Sequence, residues 1–196
     1  MNWLKFCLHW LLGDYLLFRI YILGDAESRK SILPYRIGLI CDQTELEKAK
    51  DVEIRRWAKA NLEGSLVFAA WIENEIAGIC IISPKNKGGN NAVWPFKAYE
   101  AELTQITTAQ NFRNKGVASS LLIEASQEIR KRGIHQVFAK VWHSNAASRM
   151  AFAKAGWKYA GFLVEFHPFN RQRKLRFFFS KKELKRTLNY HKRVDF

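Results

Sequence analysis

The residues whose types and spacing best define a chemistry lie where a predicted strand turns into a predicted helix. The strand ends at about Thr107, Arg113 and Lys115 lie in the turn, and Gly116 and Ala118 open the helix. Such a turn leaves successive backbone N–H groups pointing outward at the positive end of the helix dipole. Gly116 permits close backbone approach, and the two cations suit a pyrophosphate. The pattern is neither a Walker A loop nor G-x-G-x-x-G, which disfavours nucleotide hydrolysis and dinucleotide binding.

This turn resembles a known cofactor signature. Arg113-x-x-Gly116-x-Ala118 is similar to the Q/R-x-x-G-x-G/A motif with which the GNAT superfamily of N-acetyltransferases grips the pyrophosphate of coenzyme A. Residues 145–157 (NAASRMAFAKAGW) resemble a later helix of that family, and the order of predicted elements from Tyr35 onward also matches. The resemblance spans about residues 35–180. It implies a mixed α/β fold and direct transfer of an acyl group from an acyl-CoA to a primary amine, without a covalent enzyme intermediate.

The resemblance also implies a general base on the strand before the turn. Glu102 lies eleven residues ahead of Arg113, where several family members carry a catalytic glutamate. Strand alternation places Glu100 on the same face, so a cationic acceptor could meet both carboxylates. Glu100 or a proton relayed by solvent is the alternative base.

Further site residues follow from the resemblance alone. Asn145 would order the cofactor near its thiol end, and main-chain groups of residues 106–108 would face the pantetheine arm and the thioester carbonyl. The family's usual tyrosine acid is replaced by Phe152. Either Tyr159 or Ser148 serves instead, or the thiolate leaves unprotonated. The residues expected at the cofactor are Ile106, Thr107, Thr108, Arg113, Asn114, Lys115, Gly116, Val117, Ala118, Ser119, Asn145 and Ser148.

Metal and nucleophile chemistry are not predicted. His135, His143 and His167 are scattered without ligand spacing, and no metal cofactor is expected. Cys41 and Cys80 have no visible catalytic partner.

Around these residues the sequence predicts one mixed α/β domain, with a central mixed sheet flanked by helices on both faces. One helix is predicted from Thr44 to about Ala60, with Glu47 completing a capping box. Three successive phenylalanines, 177–179, favour core packing. Strands are predicted at 35–40, 65–72, 76–83, 99–107, 136–141, 157–166 and 174–179, helices at 117–132 and 145–155, a loop at 84–91 and a basic helical tail at 181–190.

The first 24 residues are apolar and aromatic, and their periodicity predicts an extra N-terminal helix. The segment is too interrupted for a membrane span, and it has no signal-peptide cleavage site. Packing on this domain or on a second copy, interfacial membrane contact, and a wall for an apolar substrate group remain open. The predicted organisation is an extension at 1–30, an acyltransferase domain at 31–180 and a basic tail at 181–196.

Charge and cysteine content indicate the setting and the partners. The net charge is +14, and residues 1–110 are neutral, so the whole excess lies in residues 111–196. An anionic partner is therefore expected. Three cysteines without a CxxC pair favour a reducing, cytoplasmic location.

Acetyl is the default acyl group, and a medium or long chain is the alternative because an apolar groove gains about 0.8 kcal/mol per buried methylene. The acceptor could be a small amine, an amino sugar, a protein N-terminus, or a lysine or ornithine side chain. An acidic acyl carrier protein could dock on the basic block at 171–193. A non-catalytic module that binds RNA or protein is the competing class, although no recognised RNA motif is present.

Overall fold

The structure is a computed structural model that describes residues 15–23, 35–84, 99–166 and 175–180. The chain divides into two compact units. The larger comprises Ile22–Ala139 and Ala146–Lys158; the smaller comprises Met1–Tyr21, Lys140–Asn145 and Tyr159–Phe196. The predicted loop at 84–91 beyond its first residue, the predicted tail helix, Cys7 and His167 lie outside the described residues.

Strands and helices are interspersed along the chain in a mixed α/β order. The strands are β1 (Tyr15–Ile22), β2 (Arg36–Leu39), β3 (Leu66–Ile72), β4 (Glu75–Ser83), β5 (Glu100–Thr108), β6 (Gln136–Trp142), β7 (Lys158–Phe166) and β8 (Leu175–Ser180). The α-helices are α1 (Val52–Arg55), α2 (Val117–Lys131) and α3 (Ala146–Lys154), and 3-10 turns occupy Gln43–Lys48, Arg56–Lys59 and Gln110–Phe112.

The larger unit contains the strands β2-β3-β4-β5-β6 in that spatial order. The pairs from β2 to β5 are antiparallel, whereas β5 and β6 run parallel. One face carries an apolar cluster in which Val67, Ile79 and Ile81 of the sheet join Leu46 and Ile54 of the short helical turns. Helix α2 packs against β4, so this unit has helices on both sheet faces, as predicted.

A glycine sets how closely α2 approaches the sheet. A Cβ added to Gly78 in β4 would lie 2.9 Å from the Thr107 carbonyl oxygen and 2.9 Å from Val117 Cγ1. Contacts that short are not tolerated, so only glycine permits this approach. The first turn of α2 therefore rests directly on β4 and β5.

The smaller unit contains the spatial order β6-β1-β7-β8, to which β6 contributes its second half. Strands β7 and β8 are antiparallel. Buried Glu165 pairs there with Lys140 and Arg176, at 3.5 and 3.2 Å. The prediction that Phe177–Phe179 form core is wrong for two of them, since Phe177 and Phe179 are 48% and 60% exposed. Alternation along an edge strand turns both rings to the same open face.

The predicted N-terminal helix is wrong for residues 15–22, which form β1. Phe18 and Ile20 are buried on one face of β1, and Tyr21 is buried on the other, so the strand packs on both faces towards its end. A short apolar run of aromatic and β-branched residues cannot be assigned to helix or strand by periodicity alone. Residues 1–14 lie outside the described part of the chain.

The single helix predicted at 44–60 is also wrong, because the chain forms three short helical turns there. The cap is Asp42, whose carboxylate accepts the Thr44 N–H at 2.9 Å, and Asp51 caps a new start by accepting the Glu53 N–H. Aspartates that bond to nearby backbone N–H groups compete with a continuous helix.

Candidate functional site

A β-bulge interrupts β5 shortly before the turn that joins β5 to α2, which is the turn predicted to bind a pyrophosphate. Gln105 pairs with Ile81 of β4 and Leu103 pairs with Ile82, so Thr104 is an extra residue without a partner in the register. Such a bulge bends the strand and is common beside active sites.

The bulge brings four polar side chains of β5 onto one sheet face. Glu102 lies opposite Ser83, and beyond the extra residue the odd-numbered Gln105 and Thr107 face the same way, opposite Ile81 and Ile79. The Gln105 side-chain amide donates to the Thr107 hydroxyl at 2.7 Å, consistent with a shared face. Glu100, Glu102, Gln105 and Thr107 form what we call the polar row.

The two glutamates of the polar row differ in exposure. Glu100 is buried, with 5% of its surface exposed, whereas Glu102 is half-buried. Of the two carboxylates predicted as bases, Glu102 is therefore the more accessible to a substrate amine.

The second half of β5 has an open edge towards β6. The parallel pairing with β6 extends from Glu100 to Leu103 and stops there, while the pairing with β4 continues to Thr108. Residues 104–108, which include the predicted Ile106, Thr107 and Thr108, thus lie beyond the β6 ladder. Backbone amides at such an edge can pair with an extended amide-containing ligand.

The turn after β5 contains two left-handed residues. Asn114 has φ 62° and Gly116 has φ 81°, and the Arg113 Nε donates to the Thr108 carbonyl oxygen at 3.4 Å. Arg113, Asn114 and Lys115 are exposed. A turn of this geometry directs backbone N–H groups to one side and suits an anion.

Helix α2 begins at this turn with an open N-terminus. Gly116 is the N-cap and provides no side-chain cap, and the first intrahelical bond is from the Ser120 N–H to the Gly116 carbonyl oxygen. The N–H groups of residues 117–119 therefore precede the helical ladder. The Val117 side chain is buried, so only its main chain could face a cofactor, and the Ser119 hydroxyl donates to the Gly116 carbonyl oxygen.

Two side chains that were not predicted from the sequence, Asp51 and Tyr35, form hydrogen bonds to this turn. One Asp51 oxygen accepts the Glu53 N–H, and the other accepts the Gln110 N–H at 2.8 Å. The Tyr35 hydroxyl donates to the Lys115 carbonyl oxygen at 2.8 Å. The turn between β5 and α2 is thus held at both ends, by residues more than fifty positions away in sequence.

Gln105 of the polar row and the extra residue Thr104 were missed as well. The signal available for them was the polar run Glu-x-Glu-x-Thr-Gln-x-Thr within one strand, but only the bulge shows which members share a face.

The α3 region is divided between packing and exposed groups. Phe152, which stands where the family often has tyrosine, is buried against Trp157 with ring centroids 5.0 Å apart. Ser148 is half-buried in α3. Asn145, in the smaller unit, is exposed and donates its backbone N–H to the Trp142 carbonyl oxygen.

Two other candidate groups, Cys80 and Tyr159, stay protonated at neutral pH. Burial raises the pKa of the Cys80 thiol to about 12, so no thiolate forms there at neutral pH. Burial also raises the pKa of Tyr159, which keeps its phenol protonated. Across the described ranges, no three His, Cys, Asp or Glu side chains are grouped as a metal would require, and no helix is long and apolar enough to cross a membrane.

Comparison with known proteins identifies the family of this chain. A sequence profile described as "Acetyltransferase (GNAT) family" matches residues 34–157, more than half of the chain. The chain therefore belongs to the GNAT acetyltransferase family, whose members are acyltransferases that use an acyl-CoA. No curated protein is similar enough to the sequence to be matched.

Solved structures share the fold at low identity. A GNAT-family acetyltransferase from Colwellia psychrerythraea has a TM-score of 0.60 and 15% identity, over 86% of this chain and 62% of its own. A protein described as a GNAT-family acetyltransferase from Novosphingobium aromaticivorans DSM 12444 has a TM-score of 0.56 and 15% identity, over 79% of this chain and 65% of its own. This chain thus spans less than two thirds of each relative. The likeness shows the mixed α/β GNAT fold.

Proposed function

We propose that this protein is an acyl-CoA-dependent N-acyltransferase that transfers an acyl group, acetyl by default, to a primary amine. The observation that carries the proposal is the open N-terminus of α2, which follows the basic turn and starts directly after the polar row of β5. The helix N-terminus can bind the phosphates of the cofactor, and a carboxylate on the preceding strand can act as the general base.

In this proposal the pyrophosphate of CoA binds the backbone N–H groups of residues 117–119. Arg113 and Lys115 add positive charge from the exposed turn. The pantetheine amides pair with the edge of residues 106–108, and a backbone N–H of that edge polarises the thioester carbonyl. Asn145 and Ser148 stay predicted cofactor contacts by resemblance.

The transfer itself needs proton acceptance and a stabilised tetrahedral intermediate. Glu102, directly or through water, takes a proton from the substrate ammonium, and the neutral amine attacks the thioester carbon. The intermediate collapses with cleavage of the C–S bond, and the second amine proton ends on the departing sulfur. The products are an amide and CoA thiol, and no enzyme-bound acyl group forms.

The proton donor to the thiolate is not the residue at the usual family position, because Phe152 has no ionisable group. Ser148 and Tyr159 remain the candidate donors. A thiolate is basic enough to take a proton from water but weak enough to leave without help.

The donor class is tested by measuring the thermal unfolding midpoint with free CoA, acetyl-CoA and decanoyl-CoA. A ligand at about 100 times its Kd adds about 2.7 kcal/mol to the free energy of unfolding. We expect all three to raise the midpoint, and acetyl-CoA to release thiol when an amine is added. No shift with any of the three would contradict the cofactor assignment.

A medium or long acyl donor is the second candidate, because an apolar groove gains about 0.8 kcal/mol for each methylene of the acyl chain that it buries. A larger midpoint shift with decanoyl-CoA than with acetyl-CoA would select this candidate.

The acceptor and the other partners are proposed at a coarser level. The two carboxylates of the polar row favour a cationic amine, such as a lysine or ornithine side chain. The carrier-protein dock at 171–193 rests on sequence, because only Leu175–Ser180 of that block is described and its Arg176 is paired with Glu165. We place the enzyme in the cytoplasm, since Cys41 and Cys80 are both free thiols.

A further inference from the structure

An arginine in the smaller unit lies against aromatic rings. The guanidinium carbon of Arg19 in β1 is 5.5 Å from the ring centroid of Tyr159 and 5.7 Å from that of Phe162. Its Nε donates to Nδ1 of His143 at 3.5 Å, and Tyr21 meets Tyr159 edge-on at 6.1 Å. We call Arg19, Tyr21, His143, Tyr159 and Phe162 the Arg19 cluster.

No carboxylate neutralises Arg19 within the described part of the chain. Its contacts there are the two rings and His143. By contrast, Lys140 and Arg176 of the same unit both pair with buried Glu165. An arginine placed on rings keeps its planar fork oriented while its terminal N–H groups stay available for an anion.

The cluster itself provides no competing anion. Burial raises the pKa of Tyr159 despite the nearby Arg19, so no phenolate forms beside the guanidinium at neutral pH. His143 accepts from Arg19 through Nδ1 at 3.5 Å, and an imidazole contributes no negative charge.

We propose that the Arg19 cluster binds a carboxylate carried by an apolar or aromatic body. One guanidinium matches one carboxylate in charge and in bidentate geometry. A phosphate dianion would leave a second charge uncompensated beside Phe162 and Tyr159. The rings, all half-buried except Tyr21, offer surface to the apolar body of the ligand.

The test is calorimetric titration of the full chain with 3-phenylpropionate, with 3-phenylpropionamide as the uncharged match. We expect the acid to bind, the amide to bind at least tenfold more weakly, and Arg19→Gln to weaken acid binding at least tenfold. Arg36→Gln is the control variant, because Arg36 also lies over a ring, that of Trp71 at 4.3 Å, but in the larger unit. If Arg19→Gln fails to fold, Phe162→Leu removes one supporting ring and should weaken acid binding while retaining the charge.

Equal binding of acid and amide would overturn the proposal, as would an equal loss with Arg36→Gln. Inorganic phosphate binding more tightly than the acid would also contradict it. The titration requires no turnover, so its result is independent of the acyltransferase proposal.

The bound carboxylate could belong either to the acyl acceptor or to a separate carboxylic acid, and 3-phenylpropionate distinguishes the two. If 3-phenylpropionate competes with the amine in the acyl-transfer assay, the carboxylate belongs to the acceptor. If it binds without competing, the cluster holds a separate carboxylic acid. Both results support the site.

Discussion

At the scale of single residues, the proposed chemistry depends on which carboxylate of β5 a substrate can reach. Glu100 and Glu102 share a face of β5 and both lie in the parallel pairing with β6, but Glu100 is buried whereas Glu102 is half-buried. A substrate amine can approach a half-exposed carboxylate, whereas the surrounding residues shield a buried one. This difference favours Glu102 as the base.

Replacing Glu102 with glutamine should lower kcat about 100-fold, because a positioned general base contributes roughly 10²- to 10⁴-fold. KM for the acyl-CoA should change little, and the fall of kcat on the acid side should flatten. Steady-state kinetics across pH measure all three. Glu124→Gln, a half-buried glutamate of α2, is the control and should leave kcat unchanged. A normal profile for Glu102→Gln, with the loss found in Glu100→Gln instead, would move the base to Glu100.

The predicted phosphate-binding turn can be tested at Gly116, because a second glycine with nearly the same φ angle provides a matched control. Gly116 has φ 81° at the start of α2, and Gly133 has φ 79° just after its end. Alanine at either position costs about 1–2 kcal/mol of backbone strain. Gly116→Ala should also raise the Kd for CoA about tenfold or more by displacing the turn, whereas Gly133→Ala should not. Calorimetric titration with CoA decides this, and equal affinities in the two variants would contradict the phosphate-turn assignment.

At the scale of elements, the sequence predicts a strand or helix well where its hydrophobic periodicity and the glycine or polar residues beside it indicate the same boundaries. Among the described residues, the seven predicted strands and the helices predicted at 117–132 and 145–155 begin and end within one residue of those in the structure, since each run is bounded by glycine or polar turns. Strand β1 was missed because an apolar run packed on both faces has no distinctive period. The bulge at Thr104 was missed because it depends on the register with β4, and the Asp51 and Tyr35 contacts because they join distant segments.

The Asp51 contact can be tested with a matched aspartate. Asp51 bonds both to its own helix start and to the Gln110 N–H, whereas Asp42 bonds only locally to Thr44. Asparagine retains one acceptor oxygen, so Asp51→Asn must lose one of the two bonds, worth about 0.5–1.5 kcal/mol. We expect the KM for acyl-CoA to rise about three- to tenfold with kcat nearly unchanged.

Asp42→Asn serves as the control and should leave that KM unchanged. A loss of kcat without a change in KM in Asp51→Asn would show that Asp51 does not act through the cofactor turn.

At the scale of the whole molecule, charge is the property that the fold does not dictate. The chain carries +14, all of it from residues 111–196, which include the basic turn and the first residues of α2. A net charge of that size attracts polyanions. The range of the attraction depends on the salt concentration, because the Debye length falls from about 10 Å at 0.1 M to about 3 Å at 1 M. CoA, with its pyrophosphate and ribose phosphate, is such a polyanion.

The Kd for CoA should therefore rise about tenfold between 0.05 and 0.5 M sodium chloride, because added salt screens the attraction between the basic protein and the anionic cofactor. Dephospho-CoA, which lacks the ribose phosphate, should show a shallower dependence on salt. Titrations at matched pH give both slopes, and the unliganded thermal midpoint at each salt concentration controls for changes in the fold. A Kd that does not change with salt would mean that local hydrogen bonds at the start of α2 hold the cofactor without help from the net charge. The basic half of the chain would then have to be explained by a different anionic partner.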